Sequence, residues 1–424
     1  CKTMNRFFYN VFMYLATPFV LIYLLYRAIK SEDYRGRVAE RFGLKRLGIT
    51  KPVILIHSVS VGETIAATPL IKQIVNDYPS HQIVVTTSTP TGSAMVKKLF
   101  GASVEHCYLP IDLPGSVKRF LKQVAPQAVI VMETELWPNL IHQLSHTNTP
   151  ILLANARMSE KSMNGYLSKA APLMHEMLNN IDCVAAQYAS DGERFINLGL
   201  PQDKLTVGGS IKFELSISSE LQTQQQQLKQ LWAPNRPVWV AGSTHPGENE
   251  QLLQTHQSLL AQFPNLLLVI IPRHSERFDE VAQQATAQGF NIARRSQGTT
   301  PSSDTQVVIG DTMGEMLLLL GIGDITYIGG SLIARGGHNP LEPAALGKPI
   351  IMGESCYNFS DICDKLLASQ GLQQVTNDTE LTQLISKLLN NKEMRLQMGK
   401  HALQVVADNQ GTLKRLMTWV DQKI

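Results

Sequence analysis

From residue 50 onward, short and uninterrupted apolar segments alternate with stretches whose apolar residues recur at helical spacing. A strand that is apolar at every position must be covered on both faces, and a parallel sheet with helices on both sides provides that cover. The apolar segments are at 53–57, 82–87, 104–109, 128–132, 151–154, 183–186, 238–241, 266–271, 307–309, 325–328 and 349–352. This order predicts an α/β chain built from doubly wound, Rossmann-like domains.

A glutamine-rich stretch at 222–230 interrupts the alternation. Because 424 residues exceed what one hydrophobic core usually serves, we expect two such domains, facing each other across a cleft. The predicted boundaries are 1–30 for a membrane anchor, 31–50 for a basic juxtamembrane segment, 51–215 for the first domain, 216–236 for a link, 237–405 for the second domain, and 406–424 for a C-terminal helix that packs back on the first domain.

The N-terminal segment 7–26 carries no charge over twenty positions, the length that a helix needs to cross a hydrocarbon core of about 30 Å. It is longer than the apolar part of a signal peptide, and no small-residue cleavage site follows it. We therefore predict a retained N-terminal anchor. A helix that lies within one leaflet of the bilayer is the alternative.

Basic residues are concentrated directly after this apolar segment. They are Arg27, Lys30, Arg35, Arg37, Arg41, Lys45 and Arg46, and only Glu32, Asp33 and Glu40 oppose them. Such a surplus is typical of the cytoplasmic side of a membrane, where anionic headgroups attract it. The pattern predicts that the domains lie in the cytosol, beside anionic headgroups.

Other features exclude several classes of protein. A formal net charge of +3 is too small to indicate a nucleic-acid-binding protein. The five cysteines are scattered and form neither a Cys-x-x-Cys pair nor a Cys/His cluster with metal spacing. The G-x-x-x-x-G-K-[ST], G-x-S-x-G and H-E-x-x-H motifs are also missing from the sequence. We expect no metal ion and no cofactor.

A glycine-containing loop, HSVSVGE, follows the first strand and ends at Glu63. A related segment, GSTHPGE, follows the first strand of the second domain and ends at Glu248. Ser60 and Glu63 match the S-x-x-E capping box, which would make Glu63 a helix cap. A carboxylate at a helix N-terminus is equally suited to take a proton from an approaching hydroxyl, and Gly62 leaves room for one. The residues alone leave both roles open.

In the second domain, the glycine-rich segment 329–342, GGSLIARGGHNPLE, follows a predicted strand and opens a predicted helix. Asn339 is suited to cap that helix, and the glycines allow backbone N–H groups to approach a phosphate. Glu342 could accept hydrogen bonds from sugar hydroxyls. Arg273 ends another strand and could pair with a phosphate or a carboxylate; a surface arginine is the alternative.

Three further groups follow strands. Thr312 and Glu315, in a turn that includes Met313 and Gly314, resemble a capping box, so this turn is either a cap or a ligand loop. In the first domain, METELWPN places Glu133 and Glu135 after one strand, and GSIKFE places Lys212 after another. Lys212 is the best candidate for contact with an acidic acceptor, although solvated loop charges would give the same pattern.

The ordered set of SVSVGE, TTSTPTG, METELWPN, NARMSEKS, GSIKFE, IPRH, GDTMGE and GGHNPLEPA, together with the apolar N-terminus, resembles the 3-deoxy-D-manno-octulosonic acid (Kdo) transferases of Gram-negative lipopolysaccharide assembly. The likeness extends to about residue 370. It implies the B-type glycosyltransferase (GT-B) fold, and an inverting, metal-independent transfer of Kdo from CMP-Kdo to a lipid A precursor at the cytoplasmic face of the inner membrane.

The same resemblance implies roles for individual residues. Glu63 matches the general base that deprotonates the acceptor hydroxyl. Donor-binding positions match Arg273, Met313, Gly314, Glu315, Asn339 and Glu342. Glu133 and Lys212 match cleft residues whose individual tasks the resemblance does not define. His338 also falls in the family pattern, without an assigned chemistry.

The sequence leaves two alternatives to this function open. One is another GT-B enzyme with a UDP-sugar donor, either a lipid-linked sugar transferase or a sugar-nucleotide epimerase. The other is a catalytically silent membrane scaffold that keeps the fold.

Overall fold

The computed structural model describes residues 4–30 and 34–424. The described chain divides into two compact units. Unit 1 contains the residues up to Glu214 together with Gln410–Ile424, and unit 2 contains Leu215–Asn409. The beginning of the predicted anchor, 1–3, and of the predicted juxtamembrane segment, 31–33, lie outside the described residues.

Unit 1 is built on a sheet of seven parallel strands. The strands are β1 (Val53–His57), β2 (Gln82–Thr87), β3 (Glu105–Tyr108), β4 (Pro126–Met132), β5 (Ile151–Ala156), β6 (Cys183–Ala186) and β7 (Leu205–Val207). Their order across the sheet is β3-β2-β1-β4-β5-β6-β7. The helices are α1 (Arg6–Lys30), α2 (Val61–Asp77), α3 (Pro90–Phe100), α4 (Pro114–Val124), α5 (Pro138–His146), α6 (Glu160–Asn179) and α7 (Ala189–Asn197).

Unit 2 repeats this plan with seven parallel strands in the order β10-β11-β9-β8-β12-β13-β14. The strands are β8 (Val238–Thr244), β9 (Leu267–Pro272), β10 (Ile292–Arg294), β11 (Val307–Ile309), β12 (Ile325–Ile328), β13 (Ile350–Gly353) and β14 (Leu372–Val375). The helices are α8 (Ser219–Trp232), α9 (Asn249–Leu260), α10 (Phe278–Ala287), α11 (Met316–Ile322), α12 (Leu341–Ala345), α13 (Ser360–Ala368), α14 (Asp378–Asn390) and α15 (Lys392–Asp408). Helix α16 (Thr412–Lys423) returns to unit 1.

The two faces of the unit 1 sheet bury different residues of the same strand. On β1, Val53 and Leu55 join the core on one side, and Ile54 and Ile56 join the core on the other. Successive side chains of a strand point to opposite faces, so a strand covered on both faces favours apolar residues at nearly every position. This explains the uninterrupted apolar segments and confirms the predicted α/β class with two Rossmann-like domains.

The strand order of each sheet reverses at one place. In unit 1 the chain moves outward from β1 to β3 and then returns to β4 beside β1, and in unit 2 it returns to β12 beside β8. At such a reversal the two loops that follow the central strands diverge, and ligands of doubly wound sheets bind in the crevice between them. The loops after β1 and β4, and those after β8 and β12, therefore border the crevices where a ligand is expected to bind.

The glutamine-rich stretch is not an extended link. Residues 219–232 form helix α8, whose Gln225, Leu228 and Trp232 are buried within unit 2. These positions are three and four residues apart and so share one helical face, which packs on α11. The other glutamines of the helix are exposed, so the glutamine-rich composition hides an amphipathic helix.

The basic segment after α1 is likewise folded against unit 1 and is not simply a solvated juxtamembrane segment. Arg37 forms a bidentate pair with Glu40 (2.9 and 2.6 Å), and Lys45 lies 3.2 Å from the same carboxylate. The guanidinium groups of Arg37 and Arg41 lie 4.1 and 4.3 Å from the ring centroid of Tyr108. Burial by itself would raise the pKa of Glu40, but the Arg37 and Tyr108 hydrogen bonds lower it to about 2. Two of the seven basic residues, Arg37 and Arg41, therefore attach this segment to the rest of unit 1.

We predict that Leu228→Ala lowers the free energy of unfolding by about 2–4 kcal/mol, because it empties a buried site between α8 and α11. Leu231→Ala is the matched control, since the same atoms are removed from a side chain that is 57% exposed; it should change stability by less than about 0.5 kcal/mol. Urea denaturation of both variants measures the difference. Equal losses would show that α8 is not packed as described.

Candidate functional site

In unit 1, the loop between β1 and α2 places Glu63 in the first turn of the helix. The Ser60 hydroxyl accepts a hydrogen bond from the Glu63 N–H (3.4 Å) and donates one to Glu63 Oε1 (3.0 Å). Glu63 Oε2 accepts from the Val59 N–H at 2.8 Å. The predicted capping box is thus present, except that the Glu63 carboxylate accepts from the N–H of Val59, one residue before the N-cap Ser60. Each carboxylate oxygen keeps a lone pair for another proton donor.

Three carboxylates share this end of the unit 1 sheet. Burial and, to a smaller degree, the charge of Glu133 raise the pKa of Glu63, against the hydrogen bonds from Val59 and Ser60. Burial, followed by the charges of Glu63 and Glu133, raises the pKa of Glu135 to about 7. Glu133 and Glu135 follow β4, the strand beside β1. Glu63 is therefore a stronger base than an ordinary surface glutamate.

Backbone strain marks the same edge of the sheet. Glu133 (φ 55°) and Asn155 (φ 55°), at the ends of the neighbouring strands β4 and β5, both adopt the left-handed conformation that non-glycine residues rarely occupy. The buried Asn155 accepts a hydrogen bond from the Ile211 N–H at 3.1 Å, which holds the turn that carries Lys212. Lys212 itself is half-buried. Sequence reasoning missed Asn155 as a positioning residue, although the NARMSEKS string contains it.

In unit 2, Glu248 occupies the place that Glu63 has in unit 1, but its surroundings differ. It is fully buried and accepts five hydrogen bonds. The donors are the N–H groups of His245 (3.0 Å), Gly330 (2.8 Å), Ser331 (3.1 Å) and Leu332 (3.2 Å) and the hydroxyl of Tyr327 (2.7 Å). No lone pair is left for a substrate proton. Glu248 therefore fixes the glycine-rich loop after β12, while Glu63 keeps its capacity to react.

The loops after β9 and β12 bring several predicted residues together. Burial raises the pKa of Glu342, whereas a hydrogen bond from Asn339 and the charge of Arg273 oppose that rise. Burial and Arg273, then two neighbouring histidines, lower the pKa of His338 to about 4. His338 is accordingly neutral at physiological pH, and its Nε2 lies 2.7 Å from Nε2 of His245. Arg273 is exposed, and its cation is free of a carboxylate partner within hydrogen-bonding distance among the described residues.

The turn after β11 is arranged differently. Met313 is exposed, and Gly314 adopts φ +90° with open space where a Cβ would lie. Glu315 forms a bidentate pair with Arg295 (3.0 and 2.8 Å), which lowers the pKa of Glu315. Glu315 thus shapes the turn through Arg295, while Met313 and Gly314 present an open surface.

Two predicted helix caps differ from the structure. Helix α12 begins at Leu341 rather than beside Asn339, and Pro340 holds its N-cap position. Asn339 Oδ1 still accepts from the Leu341 N–H at 3.1 Å, as an Asx turn ahead of a five-residue helix. Glu315 is itself the N-cap of α11, so the Thr312 hydroxyl bonds to its side chain and no capping box forms. In both places neighbouring glycines keep the chain non-helical for longer than the sequence pattern suggests.

No group of three or more His, Cys, Asp or Glu side chains that could hold a metal ion occurs within residues 4–30 and 34–424. The three histidines near Arg273 are packed against one another by ring contacts: His245 stacks on His338 and meets His274 edge to face.

Comparison with known proteins identifies relatives over the whole chain. The family described as 3-deoxy-D-manno-octulosonic-acid transferase (kdotransferase) matches residues 36–215. A 3-deoxy-D-manno-octulosonic acid transferase of Haemophilus influenzae is 45% identical over 417 residues, which cover 98% of this chain and 97% of the relative. A protein of the same name from Bordetella pertussis is 33% identical and covers 98% of both chains.

Among solved structures, a UDP-GlcNAc 2-epimerase from Neisseria meningitidis superimposes with a TM-score of 0.59 over 88% of this chain and 100% of that one, at 13% identity. MurG of Acinetobacter baumannii gives a TM-score of 0.55 over 88% of this chain and 100% of that one, at 12% identity. Identities this low establish a shared GT-B-like fold and nothing about substrate.

We predict that the same substitution has different consequences at the two equivalent glutamates. Glu248→Gln should lower the free energy of unfolding by about 2–4 kcal/mol, because an amide nitrogen cannot accept bonds from the converging N–H groups. Glu63→Gln should change it by less than about 1 kcal/mol, since burial already disfavours the charged form. Urea denaturation near neutral pH tests both; a larger loss for Glu63→Gln would contradict the assignment.

Proposed function

This chain belongs to the 3-deoxy-D-manno-octulosonic acid (Kdo) transferase family and is a glycosyltransferase, and from that premise we propose that it transfers Kdo from CMP-Kdo to a lipid A precursor (lipid IVA) with release of CMP. The single observation that carries the mechanism is the contrast between the two equivalent glutamates. Glu248 has every lone pair occupied, whereas Glu63 stands among like charges with free lone pairs and a raised pKa.

Glu63 acts as the general base in this proposal. It takes the proton from an acceptor hydroxyl while that oxygen forms a bond to the anomeric carbon of Kdo. The bond from that carbon to the phosphate oxygen breaks, and CMP departs with its electron pair. Attack from the face opposite the leaving group inverts the configuration of the anomeric carbon. The charge of Glu133 helps because it raises the proton affinity of Glu63.

Unit 2 is proposed to bind the donor. Arg273 offers an exposed guanidinium for the phosphate of CMP-Kdo, with Asn339 and Glu342 beside it as hydrogen-bonding groups for hydroxyls. His338 is neutral, so it adds a polar but uncharged surface near Arg273. Met313, Gly314 and Glu315 are proposed to contact the nucleoside, since Gly314 leaves space for close approach. In unit 1, Lys212 supplies a half-buried cation for an anionic sugar or lipid phosphate.

The proposal includes attachment to the cytoplasmic face of the inner membrane through α1. Among the helices that the structure describes, α1 alone is long and apolar enough to cross a membrane by length and composition. The basic residues that follow it support the cytosolic side, and nucleic acid is not a proposed partner.

We predict that Glu63→Ala reduces the rate of Kdo transfer by about 10²–10⁴-fold while the affinity for CMP-Kdo stays unchanged, because a base acts on the acceptor. Glu63→Gln should do the same without loss of the helix cap. Glu193→Ala, at an exposed carboxylate, is the control. Mass analysis of lipid IVA products and calorimetric titration with CMP-Kdo measure both effects. Activity near the parent level in Glu63→Gln, or tighter binding of UDP than of CMP, would sink the proposal.

We further propose that the transfer needs no metal ion, because Arg273 can stabilise the charge that develops on the departing phosphate. Purified protein treated with EDTA should therefore keep its full activity. Arg273→Ala should weaken CMP binding by about ten- to a hundredfold, which is the contribution of one charge-assisted hydrogen bond. A loss of activity in EDTA that Mg²⁺ restores would contradict this.

A further inference from the structure

The first turns of α1 are attached to unit 1 through polar contacts. The hydroxyl of Tyr9 donates to the buried Asp112 carboxylate at 3.0 Å, and Asn10 Oδ1 accepts from Asn139 Nδ2 at 2.7 Å. Asp112 also accepts from the N–H groups of Asn139 (2.8 Å) and Leu140 (2.9 Å) at the start of α5. This is a hydrogen-bonded carboxylate inside a folded domain, an environment that the hydrocarbon of a bilayer does not offer.

Two more contacts lie at the very start of the helix, on α6. The Met4 N–H donates to the Lys169 carbonyl at 2.8 Å, and Arg6 forms an ion pair with Glu176 at 3.1 Å. Met4 and Tyr9 also pack against the apolar core of unit 1. The N-terminal end of α1 is therefore bound to the surface of the domain.

The C-terminal end of α1 returns to the same domain. Arg35 donates to the carbonyl of Ala28 at 2.7 Å, in the last turn of the helix. Two residues later, Arg37 donates to Ser93 of α3 at 2.6 Å, and Arg41 donates to the Ser88 carbonyl at 3.1 Å. Only a few residues separate the end of the helix from these contacts, so that end also lies near unit 1.

These two attachments conflict with a helix that crosses the bilayer. From Asn10 to Lys30 the helix is about 30 Å long, which matches the thickness of the hydrocarbon core. A crossing helix of that length would put its two ends on opposite sides of the membrane. Here the N-terminal end contacts unit 1, and the C-terminal end is joined through Arg35 to the segment that Arg37 and Arg41 hold on the same unit. A single domain outside the bilayer reaches only one side.

The side of α1 turned away from unit 1 is a continuous apolar surface. Its most exposed residues are Ile29 (77%), Phe19 (74%), Phe7 (69%) and Leu15 (68%). The residues at the spacing of Tyr9, Met13, Thr17, Val20, Leu24 and Arg27 are less exposed and form the opposite stripe. An aromatic and aliphatic face this large is covered by another apolar phase in a stable protein.

We infer that α1 is a monotopic helix: it lies in the plane of one leaflet, with its less exposed stripe turned to unit 1 and its apolar face in the acyl chains. Anionic lipid is the occupant that the charges favour, because the exposed Lys30 ends the helix and the exposed Arg46 lies in the segment that follows it. This inference rests on the proposed membrane attachment but is independent of the proposed sugar chemistry.

Topology is tested in the full-length protein with two single cysteines, Asn5→Cys at the exposed start of α1 and Ser80→Cys on the surface of unit 1. Cys1 and Cys183 are replaced by serine, and the three remaining cysteines are buried. A membrane-impermeant maleimide should label both positions in inverted inner-membrane vesicles and neither in spheroplasts. Labelling of Asn5→Cys from the periplasmic side, with Ser80→Cys on the cytosolic side, would overturn the inference.

The occupant is tested by flotation with vesicles of phosphatidylethanolamine and phosphatidylglycerol. Phe19→Asp should abolish flotation, whereas Leu231→Asp, at an exposed leucine of unit 2, should leave it intact. If Phe19→Asp instead dissociates a dimer and flotation is unchanged, a second copy covers this face and the inference is wrong. A parent protein that does not float at all would refute the membrane attachment itself, while leaving the transfer assay unaffected.

Discussion

The structure depends on one constraint: each seven-stranded parallel sheet must be covered by helices on both faces. Every residue of a central strand is then buried and cannot contact a substrate. Side chains that bind or react with a substrate are therefore confined to the loops at the carboxyl ends of the strands. Because the strand order reverses beside β1 and beside β8, the loops diverge there and leave space. Glu63 and the left-handed Glu133 lie in the loops after β1 and β4, and Glu248 and Glu342 follow β8 and β12.

The two units also show that one local motif can serve two purposes. Gly62-Glu63 and Gly247-Glu248 follow equivalent strands and begin equivalent helices. In unit 2 the loop after β12 folds back over the carboxylate, so Glu248 organises that loop through five donors. In unit 1 the loop after β4 presents Glu133 and Glu135 instead, and negative charges replace the donors. The neighbouring loop, and not the motif, decides whether the glutamate has every lone pair occupied or keeps some of them free.

The N-terminal region illustrates the same dependence on context. Composition presents Arg37 and Arg41 as part of a uniform basic segment, yet both flank the ring of Tyr108 and one is neutralised by Glu40. An apolar helix of spanning length begins in contact with unit 1 and ends a few residues before Arg37, which contacts the same unit. Charge and hydropathy are sums along the chain and do not record which residues are partners in space.

The sequence by itself determined the fold class, the central strands, the apolar N-terminal helix and the family, because hydrophobic periodicity and ordered motifs are local properties of the chain. It did not reveal the short edge strands β7, β10 and β14, whose exposed or half-buried positions break the apolar pattern, nor the helix within the glutamine-rich stretch. The capping match of Ser60 and Glu63 could be predicted, but the free lone pairs and raised pKa of Glu63 could not. Those properties come from burial and from charges on other loops, and only the tertiary structure brings these groups together.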